Sequence, residues 1–439
     1  MDCNRHSTIE ALLSNHTRKK MYTLHSVTIN GLWKRLKAEC TFTHDVTIVI
    51  GRNGTGKTTF MNILHAILAV ELDGINDNDF SSVEIKLKEK NKIKTIKVTK
   101  RDEALSGTPS YEYQISNKKY HVHAIGDERR FPYIIKRRYQ QEAEILKGEL
   151  NKLVALSSLS VYRLRSGEDL EIRDVSGSKF INPVDYRLNQ LLSNLTKYQL
   201  DLTQKAREVA LNLQKEVLAS ILYSKEDSED RHFKLQFNKE DERRNLVSAY
   251  TQLNAVDNEI KKKINYHVDT IDKTIQQINS KRGSDDHISI DLSSLEALRK
   301  TQRIIAMSLK AEDKTRDIFS PIELFLGTLH EFIIDKKFTF NGGEISINNS
   351  HGKISHHNLS SGEKQLLILF IETLLQQSQT YVYLTDEPEL SLHIAWQKNI
   401  IPAIKKLNPN AQIIAATHSP EVASKYRGSI FDMEKLVHG

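Results

Sequence analysis

The sequence predicts an α/β fold: one head domain, with a mixed sheet and an antiparallel β subdomain, split by a mostly helical, coiled-coil-like insertion. Three observations lead there. A buried strand, Val46 to Ile50, runs into a glycine-rich loop and then an apolar helix, Thr58–Val70. From Val184 to Ser320 the chain holds no proline and a single glycine, Gly283; the scarcity of both helix breakers argues for long helices. From Ser360 onward the pattern alternates helix, strand, helix, strand, as in a layered α/β unit. The boundaries that follow are 1–140 for the first half of the head, 141–320 for the insertion and 321–439 for the second half.

Taken in order, residues 22–51 carry short apolar runs that read as strands. Residues 83–123 hold alternating segments (VEIKLKEK, KIKTIKV, YEYQI, KYHVHAI) with the period of antiparallel strands. In the insertion Leu188, Leu195, Leu202 and Val209 recur every seven residues. Leu192, Ala206 and Leu213 form a companion row broken by Gln199, giving roughly four heptads of a coiled-coil-like seam. A second helical stretch spans Lys239 to Ser280, and the turn around Gly283 separates it from a third. An ordinary helical subdomain and a paired-helix arm fit this pattern equally. After Phe325 come two short strands, FTFNG and EISINN.

Composition narrows the class. Of 439 residues 39% are hydrophobic, enough for a sizeable core. No stretch approaches the ~18 consecutive apolar residues of a membrane helix, and the first twenty residues lack the apolar segment of a secretory signal. Cys3 and Cys40, the only cysteines, cannot make a disulfide framework or a zinc site. These features point to a reducing cytoplasm and to no membrane partner. The net charge of +7 is concentrated: between Lys86 and Arg101 eight basic residues face Glu89 alone. Lysines 86, 88, 90, 92 and 94 alternate, which predicts one basic face on a strand or hairpin. That face suits DNA phosphates or an acidic protein, and equally a solvated strand guarded against edge pairing. Few aromatics interleave, so base stacking is not indicated. A second basic knot lies at Arg129–Arg138.

Chemistry enters with GRNGTGKTT, that is Gly51, Arg52, Asn53, Gly54, Thr55, Gly56, Lys57, Thr58 and Thr59. The spacing fits a phosphate-binding loop between strand and helix. Its glycines let backbone N–H groups curl round a phosphate at a helix N-terminus. Lys57 then supplies a point charge to the β- and γ-phosphates, and the Thr58 hydroxyl is a ligand for Mg²⁺. Farther on, YVYLTDEPE ends a buried strand in Asp386 and Glu387. Adjacent carboxylates at a strand end point to different faces, so Asp386 suits the metal shell and Glu387 the polarising of a water. Leu359-Ser360-Ser361-Gly362-Glu363 then Lys364-Gln365 precedes an apolar helix. Two hydroxyls and a glycine there make a second phosphate receptor, and Ser360 with Glu363 also spells a capping box. The run PELSLH follows the acidic pair, and the strand AQIIAAT delivers His418.

These motifs, in this order, resemble those of ABC-type ATPases, and the RNGTGKT loop, the DEPELSLH run and the split head are closest to the RecF/Rad50/OLD-like group. The resemblance covers roughly residues 22–125 and 325–425. It implies that Ser360, Ser361, Gly362 and Glu363 meet the γ-phosphate of ATP held by an opposing subunit. It implies too that Leu390, Ser391 and His393 touch that subunit and that His418 contacts the γ-phosphate. ATP would then glue a homodimer or higher homo-oligomer, with hydrolysis through Glu387 resetting it. The family's Q-loop glutamine has two candidate places, Gln140-Gln141 and the segment SLSVYRL. OLD-type nucleases carry a further metal-binding domain; this chain closes at Gly439, soon after His418, so an effector in trans is expected. That arrangement is similar to the ATPase subunits of two-component phage-defence systems of the PARIS or Septu type, whose effector is a nuclease. The expectation is an ATP- and Mg²⁺-dependent ATPase that senses infection for such an effector, with DNA or an acidic phage protein met at Lys86–Lys94. A RecF-like DNA-repair ATPase is the alternative.

Overall fold

Val46–Ile50 and Gln412–Ala416 lie side by side in a parallel sheet although the whole insertion separates them in sequence. The computed structural model describes residues 21–102, 109–123, 133–158, 170–174, 177–220, 237–253, 255–280, 292–390 and 392–438. The first part of the chain supplies β1 (Thr23–Leu32), β2 (Leu36–Thr41), β3 (Val46–Ile50), α1 (Lys57–Ala69) and α2 (Leu72–Asn76). Then come β4 (Ser82–Glu89), β5 (Lys92–Asp102), β6 (Pro109–Ile115), β7 (Lys118–His123), α3 (Tyr133–Asn151) and β8 (Leu156–Ser158). A hairpin of β9 (Leu170–Asp174) and β10 (Gly177–Ile181) leads to α4 (Pro183–Ala219), α5 (Lys239–Gln252), α6 (Asn258–Ser280) and α7 (Leu292–Phe332). The remainder holds β11 (Lys337–Asn341), β12 (Glu344–Asn349), β13 (Gly352–Ile354), α8 (Ser361–Leu375) and β14 (Val382–Asp386). It closes with α9 (Ile394–Gln397), α10 (Ile400–Leu407), β15 (Gln412–Ala416), α11 (Pro420–Ala423), β16 (Ile430–Asp432), α12 (Met433–Leu436) and β17 (Val437–His438).

Two compact units result: residues up to Leu195 together with Leu324 onward, and Thr196–Glu323. In the first, parallel and antiparallel strands segregate into separate sheets. The parallel one runs β16-β3-β15-β14-β8, and the antiparallel one β17-β2-β1-β4-β5-β6-β7. β14 and β15 are buried at every position, as expected of parallel strands covered on both faces. The main core takes Phe60, Ile63, Leu64 and Ile67 from α1, alternate residues of β1, β4 and β5, and Val382, Leu384 and Ile414 of the parallel sheet. Gln412, fully buried, ties the two sheets together. Its amide donates to the carbonyls of Leu24 and Thr43, both at 2.7 Å, and its oxygen accepts from Leu24 N–H at 2.8 Å.

The first boundary falls later than residue 141. Leu146, Leu150 and Val154 bury in the head core, and β8 extends the parallel sheet beside β14, so this stretch belongs with the head. At the other end α7 continues through Pro321, past the expected break at Ser320. Proline leaves the carbonyl of residue 317 without its helical N–H, and the Ser320 hydroxyl donates to it at 2.9 Å.

The insertion helices also refine the seam. Leu188, Leu195 and Leu202 are buried and Val209 half-buried; of the companion row Leu213 is buried and Leu192 and Ala206 half-buried, while Leu191 and Tyr198 are buried beside them. The alternating three- and four-residue steps of a heptad account for both: Leu191 and Tyr198 lie three positions after Leu188 and Leu195, and Leu213 four after Val209. The stretch Lys239–Ser280 is two helices, α5 and α6. In the second unit Leu246, Ile264, Val268 and Ile305 form a small core, interrupted by a polar layer. There Glu242 is buried, and the Thr301 hydroxyl lies 3.4 Å from its carboxylate and 3.3 Å from His267 Nε2.

The five alternating lysines do not share a face. β4 and β5 turn at Lys90-Asn91, so Glu89 pairs with Lys92, Leu87 with Lys94 and Lys86 with Thr95. A two-residue turn reverses which parity points outward. Lys86 and Lys88 face outward together with Lys97, the partner of Glu84, whereas Lys92 and Lys94 lie on the side of Val83, Ile85 and Leu87. The Lys94 ammonium sits 5.4 Å above the Tyr22 ring. Of the second basic knot, residues 129–132 lie outside the described residues, and Arg138 pairs with Glu142 at 3.0 Å. Gln140 and Gln141 are on α3, while most of SLSVYRL lies outside the described residues.

Candidate functional site

β3 aims the glycine loop at the C-terminal edge of the parallel sheet, where crevices for ligands form. Gly54 and Gly56 adopt positive φ, +85° and +92°, values that cost a side-chain-bearing residue about 1–2 kcal/mol. Gly56 is the N-cap of α1, and a Cβ built there would stand 2.7 Å from the indole of Trp33. Thr55 closes the loop on itself by donating its hydroxyl to the Arg52 carbonyl at 2.9 Å. Arg52 also approaches Glu434 of α12 at 3.7 Å.

Lys57 is buried, and its ammonium donates to the carbonyls of Gly51 (2.9 Å) and Arg52 (3.2 Å) and to His418 Nε2 (2.6 Å). Burial lowers its pKa, and the charges of Glu387 and Asp386 oppose that shift. β14 ends in Asp386, which is buried, and β15 delivers His418 one strand away. Glu387 stands in the left-handed region at φ +49°, a strained setting for this residue and one that recurs at functional sites. Its N–H donates to the Ala416 carbonyl at 2.7 Å, and its Oε1 lies 3.5 Å from His418 Nε2. Burial, together with hydrogen bonding to Glu389 and the nearby carboxylate charge, pushes the Glu387 pKa up to about 7. A cleft of about 860 Å³ opens beside this cluster, lined by Gly51, Arg52, His418, Ser419, Arg427 and Asp432 among others.

The structure therefore brings Gly51, Arg52, Lys57, Asp386, Glu387 and His418 together. Asn53 and Gly54 are exposed on the loop, Thr58 is exposed in the first turn of α1, and Thr59 is half-buried. Ser360, Ser361, Gly362 and Glu363 form a second constellation at the start of α8. The capping box is present: Ser360 N–H donates to Glu363 Oε2 at 2.8 Å and Ser360 Oγ accepts from Glu363 N–H at 3.3 Å. The other carboxylate oxygen of Glu363 accepts from Lys336 at 2.6 Å. Ser360 and Ser361 are exposed while Gly362 and Glu363 are buried, so the helix end, capped by the Ser360 hydroxyl, is open to solvent. Leu390 and Ile394, on either side of His393, are exposed as well.

Three residues had no motif to announce them. Trp33 sits at φ +50° in the β1–β2 turn and covers Gly56. Glu389 is buried and accepts from Thr417 Oγ1 and from Ser419 N–H at 3.2 Å. Gln397 accepts from Ser419 Oγ at 2.9 Å. The run DEPE could have flagged Glu389, since a second carboxylate so close to the first needs a partner.

Several known proteins resemble parts of this chain. The chain is 37% identical over 90 residues to the Retron Ec83 probable ATPase of Escherichia coli, covering 18% of this chain and 17% of that protein. It is 38% identical over 93 residues to the Septu protein PtuA of Bacillus thuringiensis, covering 18% and 23%. The matched segment thus spans about a fifth of the length of these curated relatives. Among solved structures, the Smc head domain of Pyrococcus furiosus aligns over 92% of both chains with a TM-score of 0.40 and 12% identity. A family model, the AAA ATPase domain, matches residues 23–423. With a match that runs from β1 to α11 and takes in every residue of the Lys57–Glu387–His418 cluster, this chain belongs to the AAA ATPase domain family.

Proposed function

We propose that this chain binds and hydrolyses ATP with Mg²⁺, assembles through ATP-bridged heads, and acts as sensor and regulator of a separate effector, a nuclease, in phage defence. The observation that carries the catalytic reading is the meeting of Lys57, Glu387 and His418 within 3.5 Å contacts at the edge of one parallel sheet. The ATPase family and the defence-system relatives support the rest.

Each residue has a task that its surroundings favour. The loop Gly51–Thr59 wraps the β-phosphate, and Lys57 turns its ammonium from the loop carbonyls toward the β- and γ-phosphates. Glu387, its pKa raised to about 7, accepts the proton of the attacking water, as a base poised near the working pH does best. His418, within reach of both, orients against the γ-phosphate. For Mg²⁺ the donor set fits: a hydroxyl at Thr58 and a carboxylate at Asp386, both hard oxygens. Among the described residues no three His, Cys, Asp or Glu side chains gather into a cage of their own, which suits an ion carried in with phosphates and waters. When bound, Mg²⁺ supplies charge neutralisation at the β- and γ-phosphates. Ser360, Ser361 and Gly362 present the α8 N-terminus to the ATP of an opposing head.

The test compares two variants. Lys57→Ala should abolish binding of a fluorescent ATP analogue. Glu387→Gln should bind it, retain ATP and lower kcat by at least about 10²-fold, the scale of a lost general base. Retained binding in Lys57→Ala, or undiminished turnover in Glu387→Gln, would overturn the reading. The RecF-like alternative has one observation in its favour, the outward row of Lys86, Lys88 and Lys97.

A further inference from the structure

We propose that Glu389 is a positioning residue for ATP hydrolysis, fixing the loop that carries His418 against the segment that carries Glu387. This rests on the ATPase reading above and goes beyond it. The geometry is specific. Thr417 and Ser419 flank His418, and one carboxylate oxygen, Glu389 Oε1, accepts from both of them: from the Thr417 hydroxyl and from the Ser419 N–H at 3.2 Å. The chain just before and just after the imidazole is therefore held by a single atom. The Ser419 N–H also meets Thr417 Oγ1 at 2.9 Å, which closes a small ring of bonds beneath His418.

Glu389 is only 6% exposed. Burying a carboxylate costs far more than burying an apolar group of its size unless it is hydrogen-bonded, so its presence calls for a role that an apolar residue could not fill. Its own backbone is fixed too. Leu390 N–H donates to the Glu387 carbonyl and Leu392 N–H to the Glu389 carbonyl, each at 3.0 Å. A second strut runs parallel to the first: Ser419 Oγ donates to Gln397 Oε1 at 2.9 Å, and Gln397 Nε2 donates to the Leu392 carbonyl at 3.4 Å. Glu389 and Gln397 thus both hold the 417–419 loop, from two points on the segment that follows Glu387. Pro388 alone separates Glu387 from that anchor, so the Glu389 bonds, together with the bond from Glu387 N–H to the Ala416 carbonyl at 2.7 Å, set how Glu387 faces His418.

The experiment uses the full chain with Mg²⁺ and ATP, and measures kcat, the dissociation constant of a fluorescent ATP analogue, and the melting temperature. Glu389→Ala should lower kcat by about 10²-fold, the scale of a misplacement near 1 Å, with nucleotide affinity unchanged within about threefold. Glu389→Gln keeps an acceptor oxygen and should recover most of the lost turnover. Thr417→Val removes the hydroxyl while keeping the shape, and should lower kcat in the same direction. The double variant Glu389→Ala with Thr417→Val should fall no further than Glu389→Ala, the non-additivity of two groups acting as a unit. Full turnover in Glu389→Ala, a loss that follows nucleotide affinity or melting temperature, or additive losses would each overturn the proposal. If Glu389→Ala does not fold, Thr417→Val and Glu389→Gln decide it by the same kcat reading. Wild-type protein with no hydrolysis sensitive to Lys57→Ala would instead overturn the ATPase reading beneath it.

Discussion

At the residue scale, Glu387 makes a prediction about pH. Its pKa lies near 7 because burial and the neighbouring Glu389 disfavour its charge, and a base works only when deprotonated. The sign follows: kcat/KM should rise as pH increases through about 7 and level off above it, read from initial ATPase rates in a constant-ionic-strength buffer series. A profile flat from pH 6 to 8 would contradict this. Gly56 gives a second expectation. Gly56→Ala places a Cβ 2.7 Å from the Trp33 indole at a φ of +92°, so it should destabilise the chain by about 1–2 kcal/mol and weaken nucleotide binding. Pairing it with Trp33→Ala should relieve the collision but not the backbone cost. The motif residues were readable in the sequence because their chemistry demands fixed local spacing: a loop of glycines before Lys57, two carboxylates after a buried strand. Trp33 was not, because no local pattern records which turn covers which glycine; Glu389 stood in the DEPE run, but its contacts with Thr417 and Ser419 are not written there.

At the element scale, the start of α4 is fastened to α8. Arg187 donates to Glu372 Oε1 through Nε (3.0 Å) and Nη2 (2.5 Å), and Lys364 meets Asp185 at 2.7 Å. Glu372 is buried, and burial raises its pKa against the pull of Arg187. Arg187→Ala would strand that carboxylate and should cost roughly 3 kcal/mol in chemical denaturation; a neutral outcome would mean water reaches Glu372. In the second unit, burial raises the pKa of Glu242. A raised carboxylate costs stability above its folded pKa and nothing below its unfolded one. Glu242→Gln should therefore raise the melting temperature at pH 7–8, with the gain shrinking to nothing as pH falls below about 4.5, the region of an ordinary glutamate. Strand and helix periods were legible here, down to the paired strands of residues 83–123. What escaped was parity across the Lys90-Asn91 turn and the step between the two seam rows, since both are set by how elements pair rather than by the repeat within one.

At the scale of the whole molecule, the exposed Ser360 and Ser361 and the exposed Leu390 and Ile394 set an expectation for assembly. Glu387→Gln should elute or sediment as a larger species with ATP than without it, and Ser361→Arg, which puts bulk and charge at the phosphate receptor, should remain at the smaller size. An ATP-insensitive Glu387→Gln protein would dismiss the bridged pair. For the repair alternative, DNA binding should fall steeply with salt and be lost on replacing Lys86, Lys88 and Lys97, not Lys92 and Lys94. The fold class and the interruption of the head were legible because the long stretch without proline and nearly without glycine is a property of composition, while the boundary at Leu195 depended on β8 pairing at the sheet edge and on Asp185 and Arg187 meeting α8. That sheet has a consequence for the order in which the protein is made. β3, which leads into the phosphate loop, is bordered by β15 and β16, both encoded near the end of the chain. At roughly 5–20 residues per second on the ribosome, tens of seconds pass between the synthesis of this apolar strand and the arrival of either neighbour. Nascent chains halted before Gln412 should accordingly bind a holdase chaperone and be cut by protease near Val46–Ile50, and chains released after Asp432 should do neither.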